Sequence, residues 1–356
     1  MSDAVLPPAT PVPPRADGRE WLSVYLFFDG WIYAPDCDRV VLDVVEPFVR
    51  RCQAEGWIHQ HFFIRYSEFG PHVRLRLLGH PEVLGRDVWP ALVEHVRAHS
   101  PAVEVDAKPE LAQIPQRADD EPVRVTHLAR VDYEPETERY GGPDALLVSE
   151  RAFQVSSDAA FALIARMGTE RSSRLGKGLL SMVILIHIFA EDRERAATFT
   201  QMYSTNYLRS VAREEDGRDA LLTAFDQGFS SQAETLMEYV DAVWEAMDDG
   251  DSLSDTLDLY ADGMRRIRQE LRPLHEARRV LVGGQTAEEW PRVWQGLVPS
   301  YLHMMNNRLG ISIQEESYLA YLAMRALEPT VAADVEQAVE EAVAPDTEVI
   351  SSESES

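Results

Sequence analysis

The sequence predicts an α+β protein: a ferredoxin-like split β-α-β-β-α-β unit followed by a C-terminal helical domain. Three observations carry this expectation. Residues 62–78, FFIRYSEFGPHVRLRLL, alternate apolar and polar side chains beyond a turn rich in Ser, Glu, Gly and Pro, as a hairpin does. Stretches with apolar residues three and four apart lie on either side of that hairpin. From Glu150 to Leu327 the helical period dominates.

Taken in order, the proline-rich residues 1–18 are expected to be a disordered arm, 19–149 the sheet unit, 150–329 the helical domain and 330–356 an acidic disordered tail. Trp21 to Phe28, WLSVYLFF, reads as the first strand. Asp36 or Asp38 can cap a helix that buries Val40, Val41, Val44, Val45, Phe48, Val49 and Cys52. After the hairpin, a helix from Pro81 to His99 turns Val83, Leu84, Val88, Leu92, Val93 and Val96 inward. A fourth strand, Val123 to Asp132, completes the unit and leaves one sheet face free of helices. Gly141, Gly142 and Pro143 form a turn into a helix, with Arg139 just before it. Helical runs follow at Ser156–Met167, Gly176–Ala190, Arg218–Met247, Leu253–Leu271 and Trp290–Leu309, the last restarting at Pro299.

Composition removes several function classes. The formal charge of the 356 residues is -26, and Glu328 to Ser356 holds nine acidic residues and no Lys or Arg. The body is acidic even without that stretch, so direct nucleic-acid binding over a broad surface is not expected. Cys37 and Cys52 offer neither zinc spacing nor a disulfide framework. The N-terminus lacks a signal pattern, and the run Leu179 to Ala190 is too short to span a bilayer and contains His187. A cytoplasmic protein without a membrane span is expected.

Alternation puts Val73, Leu75 and Leu77 on one face of the second hairpin strand and His72, Arg74 and Arg76 on the other. Two guanidiniums about 7 Å apart on one strand face can bracket a single dicarboxylate-sized group; the alternative is an edge strand kept soluble by its charges. Near the end, His303, Asn306 and Asn307 share a helix face at spacings of three and four. A carboxamide one turn from an imidazole can fix the tautomer that proton transfer needs; the alternative is a structural histidine. Arg308 and Gly310 suit the C-terminus of that helix.

RYSEFGPHVRLRL, YEPETERYGG and HMMNNRLG in this order resemble the C-terminal elimination domain of lantibiotic dehydratases and the standalone thiopeptide-type bacteriocin biosynthesis proteins, from about Trp21 to Leu327. The resemblance implies a lyase that removes glutamate from glutamylated Ser or Thr of a ribosomally made precursor peptide, leaving dehydroalanine or dehydrobutyrine. It implies a separate tRNA-dependent glutamylating subunit, and it makes Arg74, Arg76, Arg139 and His303 the catalytic set. Arg65, His72, Tyr140, Tyr301, Asn306 and Asn307, within or beside the same motifs, are the candidate substrate contacts. No cofactor or metal is expected. Two alternatives remain. One is a pyridine synthase on the same scaffold, joining two dehydroalanines in a formal [4+2] cycloaddition with loss of the leader peptide; Tyr301, Tyr318 and Tyr321 could then polarise an amide. The other is a noncatalytic subunit that holds the precursor peptide.

Overall fold

The period-2 pattern of the first half builds the sheet. In the computed structural model, which describes residues 15–33, 35–107, 121–168 and 170–328, β1 (Glu20–Phe28), β2 (Gln60–Tyr66), β3 (His72–Gly79), β4 (Glu104–Val105) and β5 (Val125–Val131) lie in the order β2-β3-β1-β5-β4. All neighbours are antiparallel except β4 and β5. This is the split order expected, with one addition: β4 has two residues, too few to show a period in the sequence. The crossover helices α1 (residues 36–54) and α2 (residues 81–99) each contain a π-helical stretch, Val40–Val45 and Leu84–Val88. They bury their apolar stripes against Val24, Leu26, Phe28, Val73, Leu75 and Leu77 in one cluster. Cys37 and Cys52 are buried free thiols in that layer.

The helical part comprises α3 (Gly142–Met167), α4 (Arg171–Ala190), α5 (Arg193–Val211), α6 (Glu215–Ser230), α7 (Ala233–Asp249), α8 (Asp255–Glu276), α9 (Trp290–Arg308) and α10 (Ile313–Leu327). Four details differ from the sequence reading. The boundary drawn at 149/150 falls inside α3, whose buried residues run from Gly142 to Met167 without a break. The run Arg218–Met247 is two helices, parted at Ser231 and Gln232. Pro299 lies inside a continuous α9, held by buried Trp294, Leu297 and Val298 before it and Tyr301, Leu302 and Met305 after it. Arg15 to Gly18, assigned to the arm, form a turn in which Arg15 meets Glu150 at 2.7 Å; the rest of the arm and the acidic tail lie outside the described residues. A two-stranded ribbon, β6 (Leu281–Val282) and β7 (Gln285–Thr286), turns through Gly283 and Gly284, both left-handed at φ +61° and +75°. Helix α4 is long and apolar enough to cross a membrane, but 72% of its apolar window is buried within the protein.

The two layers meet at the free edge of β2. A strand edge exposes unpaired N–H and C=O groups, and helical side chains take them up here. The Asn307 carboxamide accepts from Arg65 N at 2.9 Å and donates to Arg65 O at 2.9 Å, and Ser157 Oγ accepts from Phe63 N at 3.2 Å. On the helix side of the strand, Arg65 is buried. Its Nη2 meets Asp38 at 2.6 Å and its Nε meets the Arg308 carbonyl at 2.9 Å, while Arg174 from α4 closes on the same Asp38. Arg65 and Asn307, both candidate substrate contacts, are therefore committed to holding the layers together. Asn307→Ala is expected to cost about 1–3 kcal/mol through the backbone groups left unpaired, with the turnover of folded protein unchanged. Denaturant unfolding alongside a specific-activity assay checks this.

Candidate active site

Register places the cations of β3 under aromatic rings of its neighbours. On β1, Phe27, Tyr25 and Ser23 lie opposite His72, Arg74 and Arg76; on β2 the partners are Tyr66, Ile64 and Phe62. Directly opposite residues share a sheet face. The Arg74 guanidinium carbon lies 3.3 Å from the Tyr66 ring centre and 4.7 Å from that of Tyr25. That of Arg76 lies 5.3 Å from Tyr25 and 5.8 Å from Tyr133. Arg74 also touches Glu68 on the exposed turn at 3.3 Å. Among the described residues Arg76 has no carboxylate partner: it is 6% exposed, it donates to the Leu75 carbonyl at 3.3 Å and is hydrogen-bonded to Tyr25, and its Nε finds no acceptor there. Burial depresses its pKa by disfavouring the charged form. A guanidinium this deep without a carboxylate beside it among the described residues is costly.

His72 is fully buried between Tyr25 and Phe27, with ring centres 4.7 and 4.5 Å away. Its Nδ1 faces the Gly70 carbonyl at 2.8 Å, and Arg74 Nε donates to its Nε2 at 3.2 Å. A carbonyl only accepts, so the proton sits on Nδ1 and the ring is neutral. His72 thus positions Arg74 and has no surface to offer a substrate. Burial pushes its pKa down to about 4, against about 6.5 in an unfolded chain. The unfolded state then takes up a proton first as pH falls. Stability attributable to His72 is complete above pH 6.5 and is lost between 6.5 and 4, about 2 kcal/mol of it by pH 5. Unfolding free energies of wild type and His72→Gln at pH 7.5 and 5 should show a smaller pH dependence in the variant.

The second half of the site comes from the helical layer. Gly141 and Gly142 both adopt φ +88°, and a Cβ at Gly141 would lie 2.7 Å from that of Ala145. Only glycine makes this entry into α3 without strain, and the turn sets Arg139 against α9. Arg139 Nε donates to Ser300 Oγ at 3.0 Å and Nη1 to Glu136 at 2.9 Å. Ser300 and His303 are three apart on α9 and so share a face. His303, 24% exposed at its side chain, holds Nδ1 2.8 Å from the carboxylate of Glu316, which is buried. The Tyr203 hydroxyl donates to the other Glu316 oxygen at 2.7 Å, and the Tyr207 ring lies 6.5 Å from His303. Between the halves stand Tyr133, bonded to Glu150 at 3.0 Å, and Tyr140, whose hydroxyl burial pushes up to about 12. Arg76 reaches Tyr133, and Arg139 lies 5.6 Å from the Tyr140 ring. Tyr133 and Tyr140 are linked through Phe62 and Phe153, whereas Arg74 contacts Tyr25 and Tyr66 and His303 lies beside Tyr207.

Other candidates are taken up by packing. Tyr301 stacks on Tyr140 with ring centres 6.3 Å apart, but it is buried, with its hydroxyl 2.6 Å from Ser149 Oγ. Asn306 is buried, and the imidazole is held by Glu316 rather than by an Asn carboxamide. Tyr318 and Tyr321 bond Gln232 and Asp226 and pack on Phe225, on the side of α10 facing α6. Glu316 itself escaped the sequence reading. Its signal was a charged residue on an apolar stripe: it shares the buried face of α10 with Leu319, Ala320 and Ala323, where acids are rare unless paired. Among the described residues no group of three or more His, Cys, Asp or Glu side chains could hold a metal ion.

Fold and site together define an α+β protein with an arginine-bearing sheet face and a carboxylate-held histidine on its helical layer. The chain belongs to the lantibiotic biosynthesis dehydratase C-terminal family, whose profile matches residues 21–327. Its fold is that of the pyridine synthase TbtD from thiomuracin biosynthesis (TM-score 0.65, 19% identity, 88% of this chain and 99% of that one). It is also that of TsrL (0.60, 17%, 92% and 100%). A third match is the tRNA-dependent lantibiotic dehydratase MibB from Microbispora sp. 107891 (0.54, 22%), in which 92% of this chain covers 29% of the larger protein. No curated protein matches by sequence.

Proposed function

We propose that the protein releases glutamate from glutamylated Ser or Thr of a ribosomally made precursor peptide, forming dehydroalanine or dehydrobutyrine. The observation that carries this reading is Arg76, a buried guanidinium with an unfilled Nε and no carboxylate partner among the described residues. A glutamyl ester drawn from glutamyl-tRNA is linked through the α-carboxyl group, so it brings a free γ-carboxylate, and the α-carboxyl group becomes a second carboxylate on departure. Arg76 and Arg74, held by His72 and the two tyrosines, bind the first through planar two-point contacts. Arg139, half in solvent and anchored by Ser300, meets charge that develops on the departing oxygen. His303 handles the α-proton of the Ser or Thr residue. A separate glutamylating partner that draws on glutamyl-tRNA supplies the substrate.

A second reading is the pyridine-forming cycloaddition, favoured by the match over 99% of the length of the pyridine synthase TbtD. Mass spectrometry of two peptides incubated with the purified protein separates them. Loss of glutamic acid from a glutamylated peptide is the expected result; release of a leader fragment from a peptide already carrying two dehydroalanines, with the glutamylated one untouched, would replace elimination by cyclisation.

A further inference from the structure

We infer that Glu316 is a positioning residue that makes His303 the base, not the acid, of the elimination; this rests on the elimination reading above. Glu316 lies at the bottom of a closed arrangement. Tyr203 from α5 donates its hydroxyl to one carboxylate oxygen at 2.7 Å, and His303 Nδ1 approaches the other at 2.8 Å. Burial pushes both the Tyr203 and the Tyr207 hydroxyls up, with Glu316 as a further cause, so each stays an O–H donor. A carboxylate that already receives a phenol can offer its second oxygen only as an acceptor. The proton of neutral His303 is thereby fixed on Nδ1, and Nε2 carries the lone pair. Nε2 is then the nitrogen left for the reaction, because Nδ1 is occupied within the protein. Solvent reaches His303 but not Glu316, which directs the imidazole outward from its anchor.

The chemistry calls for the same polarity. A carboxylate leaves without being protonated first, since an α-carboxyl acid has a pKa of only about 3.5, so an acid contributes little to this step. The α-C–H bond is the difficult one. In the step inferred, the α-proton of the Ser or Thr residue passes to Nε2 of His303, the C–H pair becomes the new Cα=Cβ bond, and the Cβ–O pair leaves with the glutamate α-carboxylate. The imidazolium formed is met by Glu316, as the orienting carboxylate of a Ser-His-Asp triad meets its histidine. The products are the dehydroamino acid, glutamate and a proton that His303 returns to water.

The test uses the full chain and a synthetic peptide bearing one glutamyl-serine ester. Nitrogen-15 NMR of labelled histidines at pH 8, with His303 assigned by its loss in His303→Gln, should show a protonated Nδ1 and a bare Nε2. Glu316→Gln can present its amide N–H to Nδ1 and move the ring proton to Nε2. It should slow elimination about 100- to 10,000-fold, the range spanned by general-base loss and triad-carboxylate neutralisation, and leave the Kd of the glutamylated peptide within about twofold. Tyr203→Phe, which removes one donor and leaves the carboxylate, should slow the step less than about tenfold, and the nitrogen-15 spectrum of wild-type His303 decides the matter if Glu316→Gln does not fold. A proton on Nε2 of wild-type His303, or a wild-type rate in Glu316→Gln, overturns the inference. An Nδ1–H ring in a wild-type protein that releases no glutamate from the ester overturns the elimination reading and leaves the positioning role standing.

Discussion

Replacing Arg76 by methionine is expected to give a protein more stable than wild type that no longer releases glutamate. The two effects have one cause. Arg76 sits 6% exposed on β3 with an orphaned Nε and its charge met by the faces of Tyr25 and Tyr133 rather than by a carboxylate. Cation–π contacts at such a site offset about 1–2 kcal/mol, whereas the effective desolvation penalty of a buried ion is several kcal/mol. Methionine keeps the length of the stem and packs against the same rings. A gain of about 1–3 kcal/mol in unfolding free energy follows, seen as a higher denaturant midpoint at unchanged m-value. Turnover should fall at least about 100-fold, the usual loss when one preorganised donor to a reacting group is removed. Arg76→Lys should restore the charge and little of the rate, because an ammonium cannot make the planar two-point contact. A methionine variant that is both destabilised and active would make Arg76 a structural cation. Stability held back at a functional position is the pattern to be expected where a ligand completes the site.

The contrast between Arg76 and Arg65 shows how far sequence carried. Both are arginines in the same hairpin, and strand alternation sorts their neighbours correctly: Val73, Leu75 and Leu77 are buried on the helix side, and Arg74 and Arg76 share the other face. Arg65, expected to contact substrate, lies instead on the helix side, and the counter-charge that makes this tolerable, Asp38 on α1 shared with Arg174 on α4, is assembled by tertiary packing. No local pattern joins positions 38, 65 and 174. The glycine pair was legible for the opposite reason, since its backbone demand is local. Asn307 lies between these cases. Its place on a helix face beside His303 was readable, yet its role depends on the edge of β2, whose free N–H and C=O groups exist only once the sheet order is fixed. The site was therefore readable where one element supplies the chemistry and opaque where two elements share it, as with Glu316 on α10 and His303 on α9.

His303→Ala is expected to abolish turnover and to weaken the fold at the same time, and His303→Gln to separate the two. Alanine removes the donor to one oxygen of a buried carboxylate, leaving Glu316 to Tyr203 on its other oxygen. That costs about 1–3 kcal/mol and, independently, about 100- to 10,000-fold in rate through loss of the proton-transferring group. Glutamine can still present an N–H to Glu316 but cannot take up a proton near neutral pH, so the stability should return while the rate stays low. Side-by-side unfolding curves and single-turnover release of glutamate from the ester-bearing peptide read both quantities on the same preparations. Recovery of rate together with stability in His303→Gln would reduce His303 to a clamp on Glu316, and the base would then have to be sought among other residues, Tyr207 beside His303 first.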